Sequence, residues 1–162
     1  MPDVETLRPT PDRVRETLFN WLQPVINGAC CLDLYAGTGA LGFEAVSRGA
    51  ANAVLVEQNQ LLAEQLQRNI ETLGTDEVSL EQADALQWLQ HAGQKFDLVF
   101  LDPPFGQGLI EKSCMLLREY ECLRSHALIY VEAEQGLQIP SNLSIKKQGV
   151  AGQVSYMLLE PV

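Results

Sequence analysis

The sequence predicts an α/β domain: a mostly parallel sheet of seven strands, helices on both faces, and an antiparallel hairpin at the end. Three observations predict it. Short apolar runs alternate with segments of helical period, four of those runs end at an acidic residue, and the last two runs flank a glycine-containing turn. With 162 residues and 46% apolar content, the chain is long enough for a complete core and is expected to form a single domain, 1–162.

Taken in order, Pro11 sits at a first helical turn, and Val14, Leu18, Trp21, Leu22 and Val25 follow at helical spacing as one apolar face. Strands are expected near 29–34, 52–57, 78–82, 96–101 and 127–132, separated by helices near 40–48, 59–73, 84–91 and 109–121. Leu62, Leu66, Ile70 and Leu73 mark the core face of the helix at 59–73. Leu143–Gln148 and Val154–Leu159, with Gly149 and Gly152 between their apolar parts, read as the closing hairpin.

The tetrapeptide Asp102-Pro103-Pro104-Phe105, directly after the buried run Phe96–Leu101, carries chemistry. Asp102 offers a carboxylate, and Pro103, having no N–H, leaves its surroundings rich in carbonyl acceptors. Two converging acceptors suit an –NH2 group. Phe105 adds a flat face for a planar base, a contact worth about 1–3 kcal/mol. The same four residues would also serve as a proline-stiffened strand exit.

Upstream, the strand Cys30–Tyr35 leads into Ala36-Gly37-Thr38-Gly39-Ala40-Leu41-Gly42, a G-x-G-x-x-G turn opening a helix. Glycines permit close backbone approach, and the N–H groups of a helix start favour anionic or polar groups. Alone this pattern fits a dinucleotide dehydrogenase equally well. Asp33, however, lies inside the strand, where a carboxylate suits an ammonium group, or simply caps the turn. Glu57 ends the second strand about 20 residues beyond the glycines, the position expected for an acid that holds ribose hydroxyls. Asp84 closes the third strand and either accepts from an adenine amino group or caps the helix that begins at Ala85.

Together Asp33–Gly42, Glu57, Asp84 and Asp102–Phe105 resemble the motifs of class I S-adenosylmethionine-dependent amino-methyltransferases, which have a Rossmann-like fold. Leu7–Asn20, Ala127–Glu132 and Val150–Tyr156 narrow the resemblance to the bacterial enzymes that methylate the N2 of a guanine in 16S ribosomal RNA, and the likeness runs over nearly the whole chain. It implies S-adenosylmethionine as cofactor, held by Thr10, Asp33, Tyr35, Gly37, Thr38, Gly39, Glu57, Asp84 and Ala85. Asp102, Pro103, Pro104 and Phe105 would form the catalytic corner, and Arg8, Arg13, Arg15 and Phe105 would meet the substrate, 16S rRNA within the small ribosomal subunit. Tyr35 and Thr38 stand where relatives often carry another aromatic residue and a serine. Relatives also usually carry a basic segment ahead of Arg8-Pro9-Thr10, which this chain is expected to lack.

Charge pulls against an RNA partner. Eleven Lys plus Arg against 21 Asp plus Glu give −10, the wrong sign for gripping nucleic acid through a bulk field. A local patch from Arg8, Arg13 and Arg15, with Lys146 and Lys147, and a preassembled ribosomal particle as substrate reconcile the two; DNA is not expected. The four cysteines show no C-x-x-C spacing, so reduced core thiols, a cytoplasmic setting and no metal are expected. His91 and His126 are isolated. No signal sequence or membrane-spanning run is present, and no membrane partner is expected. Methylation of adenine N6 or of a protein glutamine amide, a nicotinamide oxidoreductase, and a non-catalytic ribosome-docking module remain the alternatives.

Overall fold

The computed structural model describes residues 10–162. Its elements are α1 (Asp12–Leu22), β1 (Cys30–Asp33), α2 (Ala40–Ser47), β2 (Asn52–Glu57), α3 (Gln60–Leu73), β3 (Val78–Gln82), α4 (Ala85–Leu89), β4 (Phe96–Leu101), α5 (Leu109–Glu119), β5 (Leu123–Glu134), β6 (Leu143–Ala151) and β7 (Val154–Pro161). The strands make one seven-stranded sheet in the order β3-β2-β1-β4-β5-β7-β6. The first five are parallel, and β7 runs antiparallel to both β5 and β6. This is the mostly parallel, Rossmann-like architecture that the alternation of elements predicts.

Strand alternation sends neighbouring residues into two separate cores. Leu98 and Phe100 of β4 point to the layer that holds Leu18, Phe19 and Leu22 of α1 together with buried residues of α2 and α3. Val99 and Leu101 point to the other, against α4 and α5 through Leu89, Ile110, Cys114 and Leu117. At the centre of the first layer the Phe100 ring lies 6.0 Å from Phe19 and 6.3 Å from Tyr130, so α1, β4 and β5 meet around one aromatic cluster.

Local chemistry sets the ends of the elements. Pro11 proves to be the residue before α1 rather than part of its first turn, because its ψ of 146° is extended. Asn59 caps α3 by accepting the Leu62 N–H, and Gly74 ends it in the left-handed region. The helix expected at 84–91 is shorter, because Asp84 is its cap and Gln90 already its last half-turn. Strands β5, β6 and β7 are longer than expected: β6 gains Gly149–Ala151 by pairing with Val154–Tyr156, β7 gains Glu160 and Pro161 by pairing with Ser144 and Leu143, and β5 reaches Glu134 against β7 and Leu123 across a bulge in its pairing with β4. Val25 and Leu73, expected on apolar faces, are 46% and 64% exposed; each lies at or beyond the end of its helix, where no neighbour covers it. All four cysteines are free thiols. Burial pushes Cys31 and Cys114 up to about 12, so neither ionises near neutrality.

Phe100 is fully buried and joins three elements. Phe100→Ala should cost about 3–5 kcal/mol, and thermal melting should register a fall on the order of 10 °C. A shift of a degree or two would show that the aromatic cluster is not central to stability.

Candidate cofactor and substrate cavity

In a sheet ordered β3-β2-β1-β4-β5, the direction of winding reverses between β1 and β4, and ligands of open α/β sheets bind in the crevice at the carboxyl ends of that pair. Asp33 ends β1, opposite Phe100 of β4, and Asp102 leaves β4 two residues later. A cavity of about 520 Å³ opens there. Its walls bring together residues far apart in sequence: Thr10, Asp33, Tyr35, Gly37 and Thr38 from the first third, Glu57, Asp84 and Ala85 from the middle, and Asp102, Pro103 and Pro104 beyond. Of the residues that the sequence offers for the cofactor, only Gly39 does not line it.

The glycine turn owes its shape to two carboxylates. Asp33 Oδ2 accepts the Gly42 N–H at 3.1 Å, and Glu57 Oε1 accepts the Gly37 N–H at 2.8 Å while its Oε2 accepts the Asn59 N–H at 2.8 Å. The Gly39 N–H donates to the Ala36 carbonyl at 2.8 Å. Gly39 adopts φ 79°, and a Cβ there would lie 2.6 Å from Leu66 and 2.7 Å from Phe43. Its absent side chain therefore serves the packing of the turn against α2 and α3 rather than a ligand. Gly42 is closed in the same way: an added Cβ would collide with Leu55 and come within 3.3 Å of Asp33 Oδ2.

All three glycine N–H groups are thus already taken, two of them by acids. A diphosphate needs free N–H donors and repels carboxylates, so this turn is a poor dinucleotide cradle. Its setting favours a cation. Asp33 is only 3% exposed, and burial raises its carboxyl to about 7 against the lowering effect of the Gly42 N–H, with Glu57 and Glu132 adding to the rise. A cationic group beside it recovers the ionised form.

The remaining side chains divide between scaffolding and walls. Asp84 caps α4 through Oδ2, which accepts the Gln87 N–H at 3.0 Å, and it lines the cavity as well. The Tyr35 hydroxyl hydrogen-bonds Ser113 of α5 at 2.8 Å, which fixes the ring against the wall and leaves its face to the cavity. Phe105 does not line the main cavity. It borders a small groove of about 40 Å³ on the far side of Pro103 and Pro104, with Ile110, Glu111 and Leu137. Arg13 and Arg15 lie outside the cavity, and Arg15 is held by Asp12 at 2.7 Å and by Glu44 at 3.9 Å. Arg8 lies outside the described residues. Sequence reasoning passed over Gln58, Asn59 and Leu62, which line the wall just after Glu57, and Gln107 and Leu109 after the Pro-Pro corner. Adjacency to an already suspected acid was the available signal for the first three. Among the described residues, no group of three or more His, Cys, Asp or Glu is placed to hold a metal ion, and no helix is long and apolar enough to cross a membrane.

Comparison with known proteins agrees with this geometry. The family model described as Conserved hypothetical protein 95 matches residues 1–160. Ribosomal RNA small subunit methyltransferase D of Escherichia coli K12 is 48% identical over 163 residues, covering 99% of this chain and 82% of that protein. Its Haemophilus influenzae namesake is 44% identical, covering 96% and 84%. Among solved structures, an Escherichia coli protein described as a candidate methyltransferase superposes with a TM-score of 0.90 at 48% identity, covering 96% of this chain and 88% of that one. An RNA methyltransferase from Salinibacter ruber, solved with S-adenosyl-L-homocysteine, shares the fold at a TM-score of 0.73 and 16% identity, over 95% and 94% of the two chains. With the family model matched almost end to end and such identity to its named members, the chain belongs to the ribosomal RNA small subunit methyltransferase D family.

Proposed function

We propose that this chain transfers a methyl group from S-adenosylmethionine to the exocyclic N2 of a guanine in 16S ribosomal RNA, with the assembled 30S particle as substrate. The observation that carries the reading is the pairing of a carboxylate-lined cavity at the β1/β4 switch point with the Asp102-Pro103-Pro104 corner on its rim. Membership in a family whose members bear a small-subunit rRNA methyltransferase name supports the substrate class.

The cavity fits the cofactor on its own chemistry. Its volume lies within the roughly 300–1,000 Å³ usual for small-molecule sites. The occupied N–H groups of the turn and the buried Asp33 suit a ligand with an ammonium and a sulfonium charge rather than a diphosphate. Asp33 with Gly37 and Thr38 would hold the amino-acid end, Glu57 the ribose hydroxyls and Asp84 with Ala85 the adenine. When bound, S-adenosylmethionine supplies a methyl group made electrophilic by the sulfonium.

The protein's own part is positioning and electrostatics. A guanine N2 lone pair is delocalised into the ring, so the amine must be held in line and the positive charge that develops on nitrogen must be stabilised. The Asp102 carboxylate and the Pro103 carbonyl accept the two amino protons and supply negative potential at that nitrogen. One of those protons leaves once the C–N bond has formed, and solvent takes it up. Phe105, in the small groove bordered by Pro103 and Pro104, would stack on the base after it leaves its own stack.

Methyl transfer from labelled cofactor to 30S particles, free 16S RNA and DNA, followed by nucleoside mass spectrometry, tests the reaction. Methylguanosine from the 30S particle is the expected product, and methyladenosine or modified protein would overturn the guanine assignment. Asp102→Ala should lower kcat by about 100-fold or more while S-adenosylhomocysteine binds nearly as before. Equal turnover of variant and wild type at matched folding would place the chemistry elsewhere.

Asp33 gives the reaction a pH signature. An ammonium group on the ligand favours the ionised carboxylate, so affinity for S-adenosylhomocysteine, measured by calorimetry, should rise as pH climbs towards about 7 and level off above it; Asp33→Asn should bind weakly at every pH. Stability of the free protein runs the opposite way. A carboxyl whose folded pKa exceeds its unfolded value of 3.8 contributes fully below that value and loses its contribution as pH rises through about 7. The melting-temperature difference between Asp33→Asn and wild type should therefore move in the variant's favour across that window. NAD binding with no binding of the adenosyl ligand would remove the whole reading.

A further inference from the structure

Glu132 is a buried acid that does not line the cavity, although its charge contributes to the rise at Asp33. It is 5% exposed on β5 and sits one step beyond the last β4–β5 register pair, Leu101 with Val131. Asp102 likewise follows Leu101, so the two acids lie at the same level of adjacent parallel strands, Asp102 just past the end of β4 and Glu132 still within β5. Glu132 Oε2 accepts the Thr10 hydroxyl at 2.6 Å and the Tyr130 hydroxyl at 2.9 Å. Thr10 is itself nearly buried and forms part of the cavity wall, just ahead of α1.

Both donors are built to stay donors. Burial, together with Glu132 nearby, pushes the Tyr130 hydroxyl far above its ordinary value, so it remains an O–H. The Tyr130 ring is anchored against Phe100, and Phe100 against Phe19 of α1. Glu132 is therefore fixed from below by the core and reaches up to Thr10, which lines the cavity just ahead of α1.

We propose that Glu132 is a positioning residue for methyl transfer: by gripping the Thr10 hydroxyl it fastens Thr10 and Pro11, at the entrance to α1, with Thr10 as a cavity wall beside Asp102. The role rests on reading the cavity as the cofactor site, but the grip itself does not. A sequence span of 122 residues is closed by this contact, so without it the wall depends on α1 packing alone. Glu132 acts through Thr10 and need not touch cofactor or substrate.

The test uses the full chain with Glu132→Ala, Glu132→Gln, Thr10→Val, Thr10→Ser and the Glu132→Ala/Thr10→Val double variant. In the ligand-free protein, amide hydrogen exchange at Arg15, whose N–H donates to the Pro11 carbonyl at 3.0 Å, should speed up in Glu132→Ala and Thr10→Val. S-adenosylhomocysteine affinity should fall about tenfold in each, the scale of one lost buried hydrogen bond, and no further in the double variant. Thr10→Ser should recover most of what Thr10→Val loses. Should Glu132→Ala fail to fold, Glu132→Gln, which keeps an acceptor oxygen, and the Thr10 pair decide the matter from the other side. Unchanged exchange in Thr10→Val, or additive losses of affinity in the double variant, would overturn the proposal. If the wild type binds no adenosyl ligand, the proposed function falls while the exchange measurement still decides the grip.

Discussion

Asp33 and Glu57, at the ends of two adjacent parallel strands, each take a backbone N–H from the same glycine turn. These two bonds set the roof of the cavity. They require glycine at 42, where Asp33 and Leu55 leave no room for a Cβ, and they draw Gly37 back over the tip of β2. They also leave the cavity walled by acids whose charge is only partly answered within the protein. A neutral or anionic occupant gains little from such walls, whereas a cationic one relieves them. Local structure and ligand preference thus have one cause.

The same arrangement eases the conflict between net charge and an RNA substrate. Much of the negative charge closest to the chemistry is gathered at the carboxyl edge of the sheet, in Asp33, Glu57, Asp84 and Asp102, where it faces a cavity rather than a phosphate backbone. Acids that line a cavity add to the −10 without forming a docking surface. Arg15 is already engaged with Asp12 and Glu44, so exposed charges elsewhere must meet the phosphates if the substrate is RNA.

Most of the fold was legible because strand and helix periods are local: the alternation along β4, with Leu98 and Phe100 on one face and Val99 and Leu101 on the other, is visible in the sequence itself. The acids were legible as positions, since each ends a strand, but their partners were not. That Glu57 answers to Gly37 and Asn59, or Asp33 to Gly42, depends on how a turn folds back, which spacing does not disclose. Gly39 looked like a ligand contact because the motif is written in glycines, yet what excludes a side chain there is Phe43 and Leu66, one of them from a helix the motif does not contain. Phe105 was legible as a flat face beside Asp102, but that it borders a separate small groove with Pro103 and Pro104 rather than the main cavity was not. Glu132 was legible only as the end of the stretch Ala127–Glu132, because its contact is with a residue 122 positions away.

The place of β7 has a consequence for biosynthesis. It lies inside the sheet, between β5 and β6, although it follows both in sequence. Until it emerges from the ribosome, β5 presents an open edge rich in buried-type residues, and β6 has no neighbour to pair with. The nascent chain therefore passes through a stage in which its parallel half can collapse while its last core residues, Met157, Leu158 and Leu159, are still missing. During synthesis this stage is the one most exposed to misassembly and most in need of a chaperone.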